Sequence, residues 1–183
     1  MEPPNRLLPV ETRTKLNLGC GKKPFADHVN VDVVASVNPD VVHDLDHYPY
    51  PFANSRFDEI AVYDVIEHIG DVPAFMREIW RIGRPGARVV ITTPHFSAAN
   101  SYTDPTHRRH LGFFSLDYFT AGHPLNFYGS DGFCVLRRVM IFQPTLANKL
   151  VHRLANRWPR TYEHHWTWMF PAWYLQFELS VSK

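Results

Sequence analysis

Apolar positions fall in short runs, each closed by glycine, proline or aspartate. Leu16 and Leu18 alternate with polar neighbours over Lys15–Leu18 and stop at Gly19-Cys20-Gly21. Val29 and Val31 repeat the alternation over Val29–Asp32 and stop at Asp32. Period-two alternation over such lengths reads as strand. Two strands each ending at a special residue predict adjacent parallel strands of an α/β sheet. Only Cys20 to His28 lies between them, with Pro24 inside. A parallel crossover usually takes about a dozen residues, so any helix here is a stub. Val33 to Pro39 leads to a third short strand at Asp40–Asp44, around Val41 and Val42.

After a loop at Leu45–Ser55, Phe57–Tyr63 (FDEIAVY) reads as strand 4 and closes at Asp64. Asp71 has the position of a helix N-cap, with Pro73 in the first turn. Phe75, Met76, Ile79, Trp80 and Ile82 then follow helical periodicity until Gly83 and Pro85-Gly86 end it. Arg88–Thr93 is strand 5. The stretch 95–132 is a long insertion on the substrate side, with a short helix expected at Phe113–Thr120 and Ser115 as its cap. Phe133–Phe142 is strand 6, Asn148–Trp158 an amphipathic helix, and Trp173–Val181 a last strand. The expected architecture is α/β: a Rossmann-like, mostly parallel seven-stranded sheet with shortened helices after strands 1 and 2. Residues 1–183 form one domain, with 1–14 as an N-terminal arm.

Composition narrows the function classes. The 183 residues are 45% hydrophobic and 20% charged, with a net charge of +1, so no global field favours nucleic acid. Fifteen prolines and eleven histidines suit long ordered loops. Cys20 and Cys134 show neither disulfide nor zinc spacing and are expected to be reduced and buried. The first residues lack the apolar stretch of a signal peptide, and no run suits a membrane span, so cytoplasm is the expected location.

Ligands of open α/β sheets bind outside the carboxyl ends of the strands. Glycines at 19 and 21 allow a tight turn and close backbone approach, and Asp32 can accept hydrogen bonds from ribose hydroxyls. The ligand therefore contains a nucleoside. A phosphate loop would need Ser or Thr after Gly-Lys, but Lys23-Pro24 follows Gly21-Lys22. A dinucleotide site would need a third glycine and a long helix, and Pro24 stands there instead. S-adenosylmethionine, a nucleoside without phosphate, fits better. LNLGCG followed by VDV resembles the first two motifs of class I S-adenosylmethionine-dependent methyltransferases. The resemblance continues in order through His43-Asp44-Leu45, FDEIAVYDVIEHI and MREIWRIGRPGARVVITTP, covering Lys15 to Pro94. The loop SYTDPTHRRHLGFFSLDYF resembles that of small bacterial methyltransferases associated with surface-polysaccharide biosynthesis.

The resemblance implies S-adenosylmethionine as cofactor, held by Gly19, Cys20, Gly21, Asp32, Val33, Asp44, Leu45 and Asp64. Asp44 equally suits a plain turn, and Asp64 a cap. Methyl transfer to oxygen needs alignment of the nucleophile and removal of its proton. His95, just after strand 5, is the expected base, with His107 and Asp104 as an alternative acid–base pair. Asp104-Pro105-Thr106-His107 also reads as an aspartate-capped turn; Glu67-His68 lies in the family segment, where His68 suits a place facing the site or, in preference, a structural hydrogen bond. Tyr102, Arg108, Arg109, His110 and Phe113 are the expected substrate contacts, the arginines for an anionic group. No metal is expected. The expected reaction is O-methylation of a small molecule or glycan precursor. The alternatives are N-methylation of a small metabolite and a non-catalytic cofactor-binding module. The stripes Lys149/Arg153/Arg157 and Leu150/Leu154/Trp158 suit either a solvated surface helix or peripheral contact with an anionic membrane.

Overall fold

The computed structural model describes residues 9–124 and 132–183. Seven strands form one sheet: β1 (Lys15–Leu18), β2 (His28–Asp32), β3 (Val41–Val42), β4 (Phe57–Tyr63), β5 (Gly83–Pro94), β6 (Gly132–Ile141) and β7 (Tyr174–Ser182). Their order is β3-β2-β1-β4-β5-β7-β6. The first five pair in parallel. β7 is antiparallel to both β5 and β6. The sheet is therefore mixed, because β7 enters between β5 and β6 as the return of a long excursion.

Among the described residues four α-helices accompany it: α1 (Val72–Ile82), α2 (Asn100–Thr103), α3 (Leu146–Arg157) and α4 (Pro159–His165). α1 starts where the Asp71 side chain accepts a hydrogen bond from the Ala74 amide at 2.9 Å. Such a cap contributes about 1 kcal/mol. Its Phe75, Met76, Ile79 and Ile82 are fully buried in the core, each contributing roughly 1.5–3 kcal/mol of transfer free energy before entropic costs. α3 is capped in the same way by Thr145 on the Asn148 amide. The helix expected at Phe113–Thr120 is a 3-10 turn over Ser115–Phe119, and Ser115 begins it rather than capping it. α4 was not anticipated. Its aromatic and histidine-rich sequence carries little helical periodicity, but Pro159 sits at its start, where no amide hydrogen is needed.

The links flanking β2 explain the trimmed fold. Residues 19–27 contain turns and no helix, and the link after β2 holds only a 3-10 turn, Ala35–Val37. A parallel strand covered on both faces is usually apolar throughout. Here Leu16 pairs with Val29 and Leu18 with Val31 on one face, while Asn17 pairs with Asn30 on the other. Asn17 Nδ2 donates to Asn30 Oδ1 at 3.1 Å. The same oxygen accepts from the Phe25 amide at 2.8 Å, and Asn30 Nδ2 donates to the Phe25 carbonyl at 2.9 Å. Asp40 accepts from the Asn30 amide at 2.8 Å and from buried Arg13 at 3.3 Å. A buried polar network thus holds the Gly19–Asp27 loop where a helix would otherwise pack. Cys20 is buried but Cys134 is exposed on β6, contrary to expectation, because the face of β6 that carries Cys134 and Leu136 is left uncovered.

Candidate active site

The carboxyl ends of β1, β2 and β4 converge on the glycine turn. Gly19 has φ +67°, and a Cβ built on it would lie 2.3 Å from Val65 Cγ2 in the loop after β4. Only glycine fits this close approach. Gly21 has φ +47°, with no atom within 4 Å of the place a Cβ would take, so its backbone faces open space. Asp32 Oδ2 accepts the Gly21 amide at 2.8 Å, and Oδ1 accepts the Val34 amide at 2.9 Å. Asp32 therefore shapes the turn, and each oxygen retains acceptor capacity. The Cys20 amide donates to the Val31 carbonyl at 3.0 Å, joining the turn to β2. Val33 is exposed beside it, and Leu45 packs against the core. Asp44 is occupied with its own turn, accepting from the Asp46 amide and from His47 Nδ1. These contacts, the Asp46 amide first, hold its carboxyl below the usual range.

A cavity of about 570 Å³ opens at the ends of β4 and β5. Asp64, Glu67, His68, Asn100, His107 and Tyr174 line it. Asp64, at φ +55°, lies beside the Tyr174 hydroxyl, and desolvation pushes its carboxyl up. Glu67 is only 1% exposed, and neither carboxylate oxygen has a hydrogen-bond partner. Burial pushes its pKa up to about 7. Thr93 and His107 lie near enough to act against that shift.

Hydrogen bonding fixes the proton on both histidines. His107 Nδ1 is 3.0 Å from the Ser101 carbonyl. A carbonyl can only accept, so Nδ1 carries the hydrogen, and in the neutral ring the lone pair is on Nε2. His68 Nδ1 is 3.0 Å from Thr106 Oγ1. That hydroxyl donates its own hydrogen to Asp104 Oδ1 at 2.7 Å, so His68 must donate from Nδ1. The two rings meet edge to face at 4.7 Å. One donor atom from each of Glu67, His68 and His107 lies within 4.8 Å of the other two.

Among the expected catalytic residues, His107 lies in this cavity. Asp104 is at its rim and bears on His68 through Thr106 rather than on the His107 ring. His95 is not brought there. It is fully buried, its Nδ1 accepts from the Ser97 amide at 3.1 Å, and its Nε2 faces Glu163 Oε1 at 3.2 Å. Glu163 also accepts the Phe113 amide. His95 thus ties β5 to α4 and to the insertion, a structural duty.

The expected substrate contacts are also dispersed. Arg108 pairs with Asp46 at 3.1 Å, and Arg109 donates to the Ile69 and Gly70 carbonyls. The Arg108 and Arg109 amides both bond the Glu67 carbonyl. Together they anchor the insertion to the turn that carries Glu67. His110 stacks on exposed Tyr102 at 4.2 Å, and Phe113 is buried in the core. Part of the insertion, residues 125–131, lies outside the described residues, as do residues 1–8 of the arm. Sequence reasoning missed Glu67, Asn100 and Tyr174. The signal for Glu67 was an acid set among the apolar positions of VIEHI; Tyr174 comes from a strand whose place in the sheet no local pattern reveals.

A family model described as a methyltransferase domain matches residues 2–175. The chain belongs to this methyltransferase family. S-adenosyl-L-methionine is the cofactor expected from the sequence. The methyltransferase superposes on a SAM-dependent methyltransferase from Archaeoglobus fulgidus with a TM-score of 0.65 and 16% identity, over 93% of this chain and 87% of that one. A SAM-dependent methyltransferase from Mesorhizobium loti gives 0.57 and 16%, over 94% and 93%. Phosphoethanolamine N-methyltransferase 2 from Haemonchus contortus, solved with S-adenosyl-L-methionine, gives 0.54 and 15%, over 92% of this chain and 48% of that one. No curated protein sequence matches the methyltransferase. Its own geometry fits the cofactor: the open backbone at Gly21, the residual acceptor capacity of Asp32 and the partly desolvated Asp64 stand at neighbouring strand ends.

Proposed function

We propose that this methyltransferase methylates an oxygen of a small molecule or glycan precursor, and that the acceptor enters the cavity at the ends of β4 and β5. The observation that carries this reading is the His107 Nε2 lone pair in a cavity beside Asp64. When bound, the cofactor supplies an electrophilic methyl group on a sulfonium. Gly19, Gly21 and Asp32 hold its nucleoside end, with Cys20, Val33, Asp44 and Leu45 around them, and Asp64 stands where an ammonium needs an acceptor. The chain's own task is to align the acceptor and take its proton. The Ser101 carbonyl fixes the His107 tautomer so that Nε2 can receive that proton. We assign the base role to His107 and not to His95.

The test is mass spectrometry of metabolites from cells with and without the gene, seeking a pair that differs by one methylene. An acceptor methylated on nitrogen would overturn the O-methylation reading.

A further surface bears on the acceptor's source. Leu146, Leu150 and Leu154 are exposed along α3, Trp158 is exposed just after it, and Trp168 is 72% exposed after α4. Lys149, Arg153 and Arg157 are exposed beside the leucines. Apolar side chains flanked by cations suit an anionic lipid surface, and the methyltransferase rests there to reach a lipid-linked acceptor. Among the described residues no helix is long and apolar enough to cross a membrane.

A further inference from the structure

We infer that Glu67, His68 and His107 bind a divalent cation in the acceptor cavity; this rests on the O-methylation reading only for the cation's catalytic purpose. Three features of the site point to a cation. Glu67 is buried, yet both of its oxygens lack a hydrogen-bond partner. Buried carboxylates are normally paired or ligate metals, since an isolated charge is costly to desolvate. Both histidines place hydrogen on Nδ1 and present a lone pair at Nε2. Metal-bound histidines commonly donate their other ring hydrogen to a carbonyl or to a carboxylate-linked group. Here the Ser101 carbonyl serves His107, while Thr106, itself donating to Asp104, serves His68. A carboxylate oxygen of Glu67 and one ring nitrogen of each histidine lie within 4.8 Å of one another. Ligands about 2.1 Å from a metal sit roughly 3–4 Å apart, so small rotations of two partly exposed imidazoles would close the site.

Two imidazoles and one carboxylate suit Mn²⁺, Fe²⁺ or Zn²⁺ better than Ca²⁺ or Mg²⁺. Three protein ligands leave positions open toward the cavity. An acceptor hydroxyl entering one becomes more acidic. The acceptor class thereby narrows to alcohols and phenols whose reacting oxygen can itself ligate a cation. With the cation bound, His107 is its ligand and gives up the base role assigned to it above; the acceptor proton, made more acidic by the cation, passes to water.

The test is a titration of the chelator-stripped full chain with Mn²⁺, followed by electron paramagnetic resonance, with Zn²⁺ as competitor. One saturable Mn²⁺ per chain is expected, weakened at least tenfold in His68→Ala and His107→Ala. Glu67→Gln, nearly isosteric, serves as the third variant, and circular dichroism checks the fold of each. Affinity for S-adenosyl-L-methionine should change less than twofold in the same variants. Absence of saturable Mn²⁺ or Zn²⁺ binding, or binding unchanged in all three folded variants, would overturn the inference. Undiminished O-methylation by the stripped chain would overturn the cation's catalytic role and leave the proposed reaction standing. A bound cation with the methyl group delivered to nitrogen would do the reverse.

Discussion

Gly19→Ala is the sharpest test of how the cofactor turn is built. At φ +67° an alanine bears the left-handed penalty of about 1–2 kcal/mol. Its Cβ would also stand 2.3 Å from Val65 Cγ2, where carbon pairs prefer about 3.5–4.0 Å. Val65 is buried, and its branched side chain has little rotamer freedom. Overpacking of this kind costs about 1–3 kcal/mol. The variant should therefore lose about 2–5 kcal/mol in reversible urea unfolding. Val65→Ala removes the clashing carbon at its own cost of about 2 kcal/mol in lost burial. The two substitutions should couple: the double variant recovers the clash, about 1–3 kcal/mol, and retains the backbone penalty. Calorimetric titration with S-adenosyl-L-methionine should show weaker binding for Gly19→Ala, partly restored in the double variant. Gly19→Ala as stable as the parent, or additivity within about 0.5 kcal/mol, would refute this account of the turn.

The remaining predictions concern the cavity and the surface. Glu67 titrates near 7 when folded against 4.5 unfolded, so the folded chain holds a proton that the unfolded chain has lost across that window. Stability in cation-free buffer should fall by about 3 kcal/mol as pH rises from 4.5 to 7, and Glu67→Gln should remove that component in urea unfolding at stepped pH; an unchanged slope would reject the assignment. His95→Ala should lower stability by about 2–4 kcal/mol through a cavity and an unpaired Glu163, yet leave kcat within about threefold. A hundredfold loss of kcat in stably folded His95→Ala would return His95 to the chemistry. His107→Ala should lower kcat by about 10²–10⁴-fold with the true acceptor, and kcat within tenfold of the parent would exclude His107 from the reaction. Vesicles rich in phosphatidylserine should sediment the methyltransferase, and Lys149→Glu/Arg153→Glu or 0.5 M salt (Debye length about 4 Å, against about 30 Å at 0.01 M) should release it. Equal binding to neutral vesicles would rule out the charge-assisted reading.

The strands were legible because the pattern that specifies them is local. β1 and β4 fall where the alternation of Leu16/Leu18 and the apolar run of Phe57–Tyr63 place them. Asp71 and Pro73 marked the start of α1 by a capping geometry that spans one turn. The two asparagines, Asn17 and Asn30, also stood in plain view, but their meaning depends on the register that sets them side by side. What lay beyond reading was order and partnership at a distance. β7 pairs antiparallel between β5 and β6 because the chain returns after α3 and α4, and no window of a few residues encodes that return.

The candidate site divides along the same line. The glycine turn and Asp32 are eleven residues apart and could be read as one unit, since a hydrogen bond between them closes over a short link. The acceptor cavity is assembled from four segments: Asp64–His68, Pro94, Asn100–His107 and Tyr174. His95 was attractive because it follows a strand, yet the backbone turns it inward to Glu163, 68 residues later. Arg108 and Arg109 looked like a clamp for an anion, and they are a clamp for the chain itself, fastening the insertion to the Glu67 turn through backbone and side chain alike. This fastening brings His107 to the cavity that Glu67 and His68 line. Loosening it by Arg109→Ala should therefore weaken Mn²⁺ binding without touching any proposed ligand, whereas a surface arginine of no consequence would leave the Mn²⁺ titration unchanged.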